Sequence, residues 1–90
     1  SLDFFWVVLE VEEEFDVRLE RVDWHADVSV GDLCEAVLRA AREQRPESFV
    51  DPTYPDKVWE QLKHLLVTQL GLEPQAIVAA ARFYYDLDLR

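Results

Sequence analysis

Apolar and polar residues follow a helical period in three stretches of the chain, separated by segments with no period. From Ser1 to Phe15, SLDFFWVVLEVEEEF contains no helix breaker. Ser1 followed by Asp3 suits a helix start, where free N–H groups and the dipole favour oxygen and negative charge. At helical spacing Leu2, Phe5, Val8, Leu9 and Phe15 fall on one broad side, predicted to face the core, and Asp3, Trp6, Glu10, Glu13 and Glu14 gather on the other. Glu12 falls inside the apolar arc, so it must lie near a fraying end or reach an arginine.

In VSVGDLCEAVLRAAREQ, Ser29 is a natural N-cap with Asp32 in the first turn, and Val30, Leu33, Cys34, Val37, Leu38 and Ala41 keep helical spacing. Arg39, Arg42 and Arg45 follow toward its end, where cations suit the dipole. The third helix is YPDKVWEQLKHLLVTQLG, with Pro55 near its start, Val58, Leu62, Leu65, Leu66 and Leu70 on one face, and Gly71 as a stop. Between the first two, Asp16 to Asp27 reads as a loop holding a short helix, pinned by Val17, Leu19, Val22 and Trp24. Arg45 to Thr53 carries two prolines and reads as a connector with a Phe49–Val50 anchor. After Pro74 the pattern is a long loop with a short helical piece, anchored by Ile77, Phe83 and Leu87. The expectation is an all-α bundle of three to four helices, in a single domain spanning residues 1–90.

Acidic residues outnumber Lys and Arg by 19 to 9, for a formal charge of -10. Such a chain repels phosphate backbones and anionic headgroups, so neither nucleic acid nor a membrane surface is an expected partner, whereas a basic protein face is attracted. No stretch has the apolar length of a membrane span and the start lacks the basic opening of a signal peptide, which predicts a cytoplasmic protein. The single cysteine, Cys34, falls in an apolar stripe and reads as a small buried hydrophobe. His25 and His64 lack the Cys or carboxylate spacing of a metal site, so no metal and no enzymatic activity are expected.

Read from Tyr54 to Arg90 and then from Ser1 to Gln44, the chain resembles an acyl carrier protein nearly end to end. Leu70–Gly71 stands at the family's leucine-glycine turn, Phe83-Tyr84-Tyr85-Asp86-Leu87 at its Phe-x-x-Asp-Leu, and Ser1-Leu2-Asp3 at the opening of its acidic second helix. Glu12-Glu13-Glu14-Phe15 and Ser29-Val30-Gly31-Asp32-Leu33 match two further motifs in register. Asp88 occupies the family's usual glycine, and Arg90 the aspartate before its serine. The resemblance implies an acyl-carrier-like bundle with circularly permuted connectivity: residues 1–44 as the family's C-terminal half, 45–53 as connector, 54–90 as its N-terminal half. A circular permutation or a segment spanning two tandem carrier domains would each yield this order. A short connector between two half-folds allows either a monomer or a half-swapped dimer.

The resemblance further implies a 4′-phosphopantetheine arm on Ser1, installed by a phosphopantetheinyl transferase from coenzyme A. The arm would hold acyl intermediates as thioesters for fatty-acid or polyketide-type synthesis. Partner enzymes with basic patches would dock on Asp3, Trp6, Glu10, Glu13 and Glu14, acids that on general grounds are a solvated helix side. Trp6 in that arc is either a partner hot spot or packed against the preceding loop. An apolar cleft for the acyl chain would draw on Phe4, Phe5, Val8, Leu33, Leu62 and Leu66. The alternative is a carrier-like helical interaction module without the arm.

Overall fold

Ser29 adopts extended backbone (φ -105°, ψ 170°) ahead of a helix. Its Oγ accepts from the Asp32 N–H at 3.1 Å, while the Asp32 carboxylate accepts from the Ser29 N–H at 3.0 Å. This reciprocal capping box satisfies two backbone donors and opens the helix over Val30–Gln44. The computed structural model that gives this geometry describes residues 4–19 and 24–89. Within them the chain is an all-helical bundle: α1 (Phe4–Phe15), α2 (Val30–Gln44) and α3 (Tyr54–Leu70), with 3-10 turns at Pro46–Val50 and Pro74–Ala76. Helix signals expected at Ser1 and Asp3 lie outside the described residues. So do Val22 and the middle of the expected short helix; the flanking described residues of that loop are non-helical, with turns at Asp16 and at Ala26–Asp27.

The other helix ends have local causes as well. Pro55 stands in the first turn of α3, where its missing N–H is not needed. The cap there differs from a simple threonine cap. Asp51 accepts from the Thr53 N–H at 2.9 Å, from Thr53 Oγ1 at 2.7 Å and from Lys57 Nζ at 2.6 Å. These donors hold its carboxyl at about 2. Gly71 ends α3 at φ 68°, with its N–H donating to the Val67 carbonyl at 3.0 Å. At the end of α1, Asp16 takes the left-handed position (φ 53°) and the Val17 N–H reaches back to the Glu12 carbonyl at 3.2 Å. The Asp16 carboxylate then pairs with Arg45 at the end of α2. Beside it, the Gln44 side chain accepts from the Arg18 N–H at 2.8 Å and donates to the Arg18 carbonyl at 2.9 Å. The two helix ends are thus clasped by one ion pair and one amide that imitates a backbone strand.

One buried cluster joins all three helices and both long loops. The apolar residues expected on α2 and α3 are in it, Leu38 and Leu70 only at its edge. Val17, Leu19, Ile77 and Phe83 pin the loops as their positions imply. Helix α1 is a correction. Its buried residues are Val7, Val8, Val11 and Phe15, whereas Phe5 and Leu9 are 66% and 63% exposed. The apolar arc of this helix is wider than the surface that α2 and the loops offer, so only the Val7–Val11–Phe15 side is covered. Glu12 then lies at the margin of the core, where its carboxylate accepts from the Leu19 N–H at 2.8 Å. A second correction concerns the connector: Phe49 packs edge-on to Tyr54 at 5.1 Å under the Arg42 guanidinium, but Val50 is 85% exposed.

The start of α2 is joined to the C-terminal loop through its own backbone. The Val30 N–H donates to the Ala81 carbonyl at 2.8 Å and the Gly31 N–H to the Ala79 carbonyl at 2.9 Å; the Phe83 N–H donates back to the Val28 carbonyl at 3.1 Å. First-turn donors that a helix leaves free are used here to hold a loop. Only glycine allows so close an approach, because a Cβ on Gly31 would stand 2.9 Å from the Ala79 oxygen and 3.2 Å from its Cβ. Alanine for glycine ordinarily stabilises a helix by roughly 0.5–1 kcal/mol. Gly31→Ala is expected to do the reverse, costing about 1–3 kcal/mol through overpacking. A urea midpoint at or above the wild-type value would refute the close approach.

Candidate functional site

Aromatic rings converge where the first described turn of α1 meets the end of the chain. The Phe4 ring lies 5.1 Å from Trp24, 5.1 Å from Phe83 and 6.5 Å from Phe5. Phe83 is 1% exposed and roots the loop in the core. Beyond it the loop is closed by its own hydrogen bonds. The Asp86 carboxylate accepts from the Arg82 N–H at 2.8 Å and from Arg82 Nε at 3.1 Å, and the Leu89 N–H donates to the Phe83 carbonyl at 2.8 Å. Asp88 completes the turn at φ 57°, a left-handed conformation that aspartate tolerates better than most residues. The Arg82 guanidinium also lies over the Tyr85 ring, 4.8 Å from its centre. Together these elements enclose an open pocket of about 320 Å³ bounded by Phe4, Phe5, Trp24, His25, Phe83 and Leu89.

Of the candidate cleft residues, Phe4 and Phe5 bound this pocket, and Val8, Leu33, Leu62 and Leu66 belong to the closed core. Trp24 and Phe83 were expected only as loop anchors. Tyr84, Leu89 and His25 were not expected at a cleft; the run Phe83-Tyr84-Tyr85 is the one local signal that pointed to it. Ser1 and Asp3 lie outside the described residues. Glu13 and Glu14 are exposed and Glu10 is half-buried. Among the described residues none of these three acids forms an ion pair. Trp6 is half-buried against the core cluster and is not without partners.

Compared with protein-family models, curated proteins and solved structures, the chain matches none. Among the described residues no group of His, Cys, Asp and Glu could hold a metal ion, and no helix is long and apolar enough to cross a membrane. Cys34 is buried, and burial, with Glu35 adding to it, pushes its thiol up, away from the reactive thiolate. His64 is exposed on α3, and its carbonyl accepts from Thr68 Oγ1 at 2.9 Å. His25 Nδ1 accepts from the Asp27 N–H at 3.2 Å. A second groove, between the ends of α1 and α2, is lined by the acids Glu12, Glu13, Asp16 and Glu47 and by Arg18 and Arg45, with Arg45 paired to Asp16 and Glu47. What remains is a small apolar pocket beside an acidic helix face.

The Arg82 side-chain hydrogen bond, aided by the Arg82 N–H, lowers the Asp86 carboxyl below its ordinary 3.8. A depressed carboxyl contributes stability above the unfolded value, and that contribution disappears as pH falls through the folded one. The loop over residues 82–89 is thus expected to lose order below pH about 4, seen as faster exchange of the Leu89 amide. Asp86→Asn should remove this part of the acid dependence, and an unchanged profile would show that another group controls the loop.

Proposed function

We propose that the chain is an acyl-carrier-like domain with its halves in exchanged order, that it tethers acyl groups as thioesters on a 4′-phosphopantetheine arm at Ser1, and that it catalyses no reaction itself. The observation that carries this reading is the corner where α1 begins. In the exchanged order the closing loop must return to the start of the acidic helix, and Phe83 and Leu89 do lie against Phe4 and Phe5 there. A tethered acyl group needs an apolar pocket for shelter, and this corner offers one. Asp88 adds support: the family's usual glycine falls at a position that in this chain has φ 57°, where glycine is the least strained residue. The partners in this reading are a phosphopantetheinyl transferase and acyl-chain enzymes with basic docking patches, meeting the chain in the cytoplasm. Incubation with coenzyme A and a promiscuous transferase is expected to add a phosphopantetheinyl mass to the Ser1 peptide; an unmodified peptide rejects the arm.

A second reading, an interaction module without the arm, draws on a different observation. Phe5 and Leu9 are exposed on α1, on the same helix as the unpaired Glu13 and Glu14. An apolar strip flanked by acids suits a basic amphipathic helix. Binding of a lysine-rich amphipathic peptide should survive Ser1→Ala and weaken on the double reversal Glu10→Lys, Glu13→Lys, more at low salt than at high salt. Indifference to the double reversal eliminates this reading.

A further inference from the structure

We infer that the corner pocket receives a ring-sized, uncharged aromatic group in preference to a longer alkyl chain. This rests on the carrier reading only for how such a group would be tethered.

Size comes first. At about 320 Å³ the pocket is roughly twice the engineered apolar cavity of about 150 Å³ that binds benzene. It offers room for a ring and a short linkage. Nor does it continue inward, because Leu33, Leu62 and Leu66 retain no accessible surface, so no water-sized space adjoins them. An alkyl chain threaded into the bundle would have to displace closely packed side chains, which interiors resist.

The lining decides between guests that fit. Its aromatic side chains present faces and edges at once: Phe4 meets Trp24 at 70° and Phe83 at 54°. Tilted rings attract a further ring through complementary quadrupoles beyond the area buried, and an alkyl chain gains only the area. Among the described residues no charged side chain bounds the pocket; its side-chain polar groups are the Trp24 indole N–H, the His25 imidazole and the Tyr84 hydroxyl. Because His25 Nδ1 accepts from the Asp27 N–H, the neutral ring carries its proton on Nε2. That leaves a donor suited to a carbonyl oxygen and, among the described residues of the lining, no fixed charge to compensate a charged guest.

The test uses the unmodified chain and free N-acetylcysteamine thioesters of benzoate and octanoate, so Ser1 plays no part. Octanoyl has the larger apolar surface, and burial alone would favour it. Ring recognition predicts instead that benzoyl binds roughly three- to tenfold tighter, with NMR shifts at the Trp24 indole N–H and the Ala26 and Leu89 amides. Phe5→Ala, an exposed substitution, should weaken benzoyl binding by a similar factor and octanoyl binding by less, since the alkyl chain loses only buried area. Octanoyl binding as tightly as benzoyl, no saturable benzoyl shifts, or shifts centred on Leu33, Leu62 and Leu66 would each overturn the inference. A chain that binds benzoyl but resists the transferase loses the arm and keeps the pocket. A chain that takes the arm but fails the titration loses only the guest.

Discussion

The arrangement depends on the joint between the first turn of α2 and the loop that ends the chain. Three backbone hydrogen bonds make it, between Val30 and Ala81, Gly31 and Ala79, and Phe83 and Val28. A helix start normally spends its free donors on water or a cap; here Ser29 and Asp32 supply the cap and two more donors remain for the loop. With that loop fixed, Phe83 is held in the core and its ring can support Phe4. Without it, α1 would lack the aromatic wall at its N-terminal end and no pocket would form there.

Helices α2 and α3 were legible in the sequence because their signals are local. Ser29 with Asp32, Pro55 and Gly71 mark ends through neighbours a few residues away, and the apolar positions between them tolerate only one buried face. Helix α1 was legible as a helix and misread in phase. Phe5 and Leu9 are as apolar as Val7 and Val11, and the choice between the two sides belongs to α2 and the loops, which a helical wheel does not include. Glu12 marked the error, since a carboxylate in the supposed centre of an apolar arc fits better at its margin. The connector was half legible for a related reason: Phe49 and Val50 are adjacent and apolar, but a 3-10 turn directs one toward Arg42 and Tyr54 and leaves the other in solvent.

Among the described residues, the motifs that carry the resemblance to acyl carrier proteins have structural tasks in this chain. Gly31 permits the close approach of Ala79, Phe83 roots the loop, Asp86 binds Arg82, Glu12 holds the Leu19 N–H and Phe15 closes the core. Such tasks concern folding, and so the motifs bear more directly on architecture than on chemistry. The residues with no structural need to be where they are lie elsewhere: exposed Phe5 and Leu9, and unpaired Glu13 and Glu14. The candidate site was only partly legible because its walls come from Phe4, Trp24 and Leu89, which are far apart in sequence.

That separation has a kinetic side. The α2–connector–α3 segment is contiguous and makes contacts over short chain distances, through Arg42, Phe49 and Asp51. The pocket instead closes a loop that spans most of the chain, and the entropy of that closure is recovered only after the rest is in place. Contacts that close so long a loop are expected to form late and to fray early, with the ring corner parting while the helical hairpin stays intact. A guest that binds there would act on that local equilibrium first, and because it binds only the folded corner it would add the same increment to the global unfolding free energy.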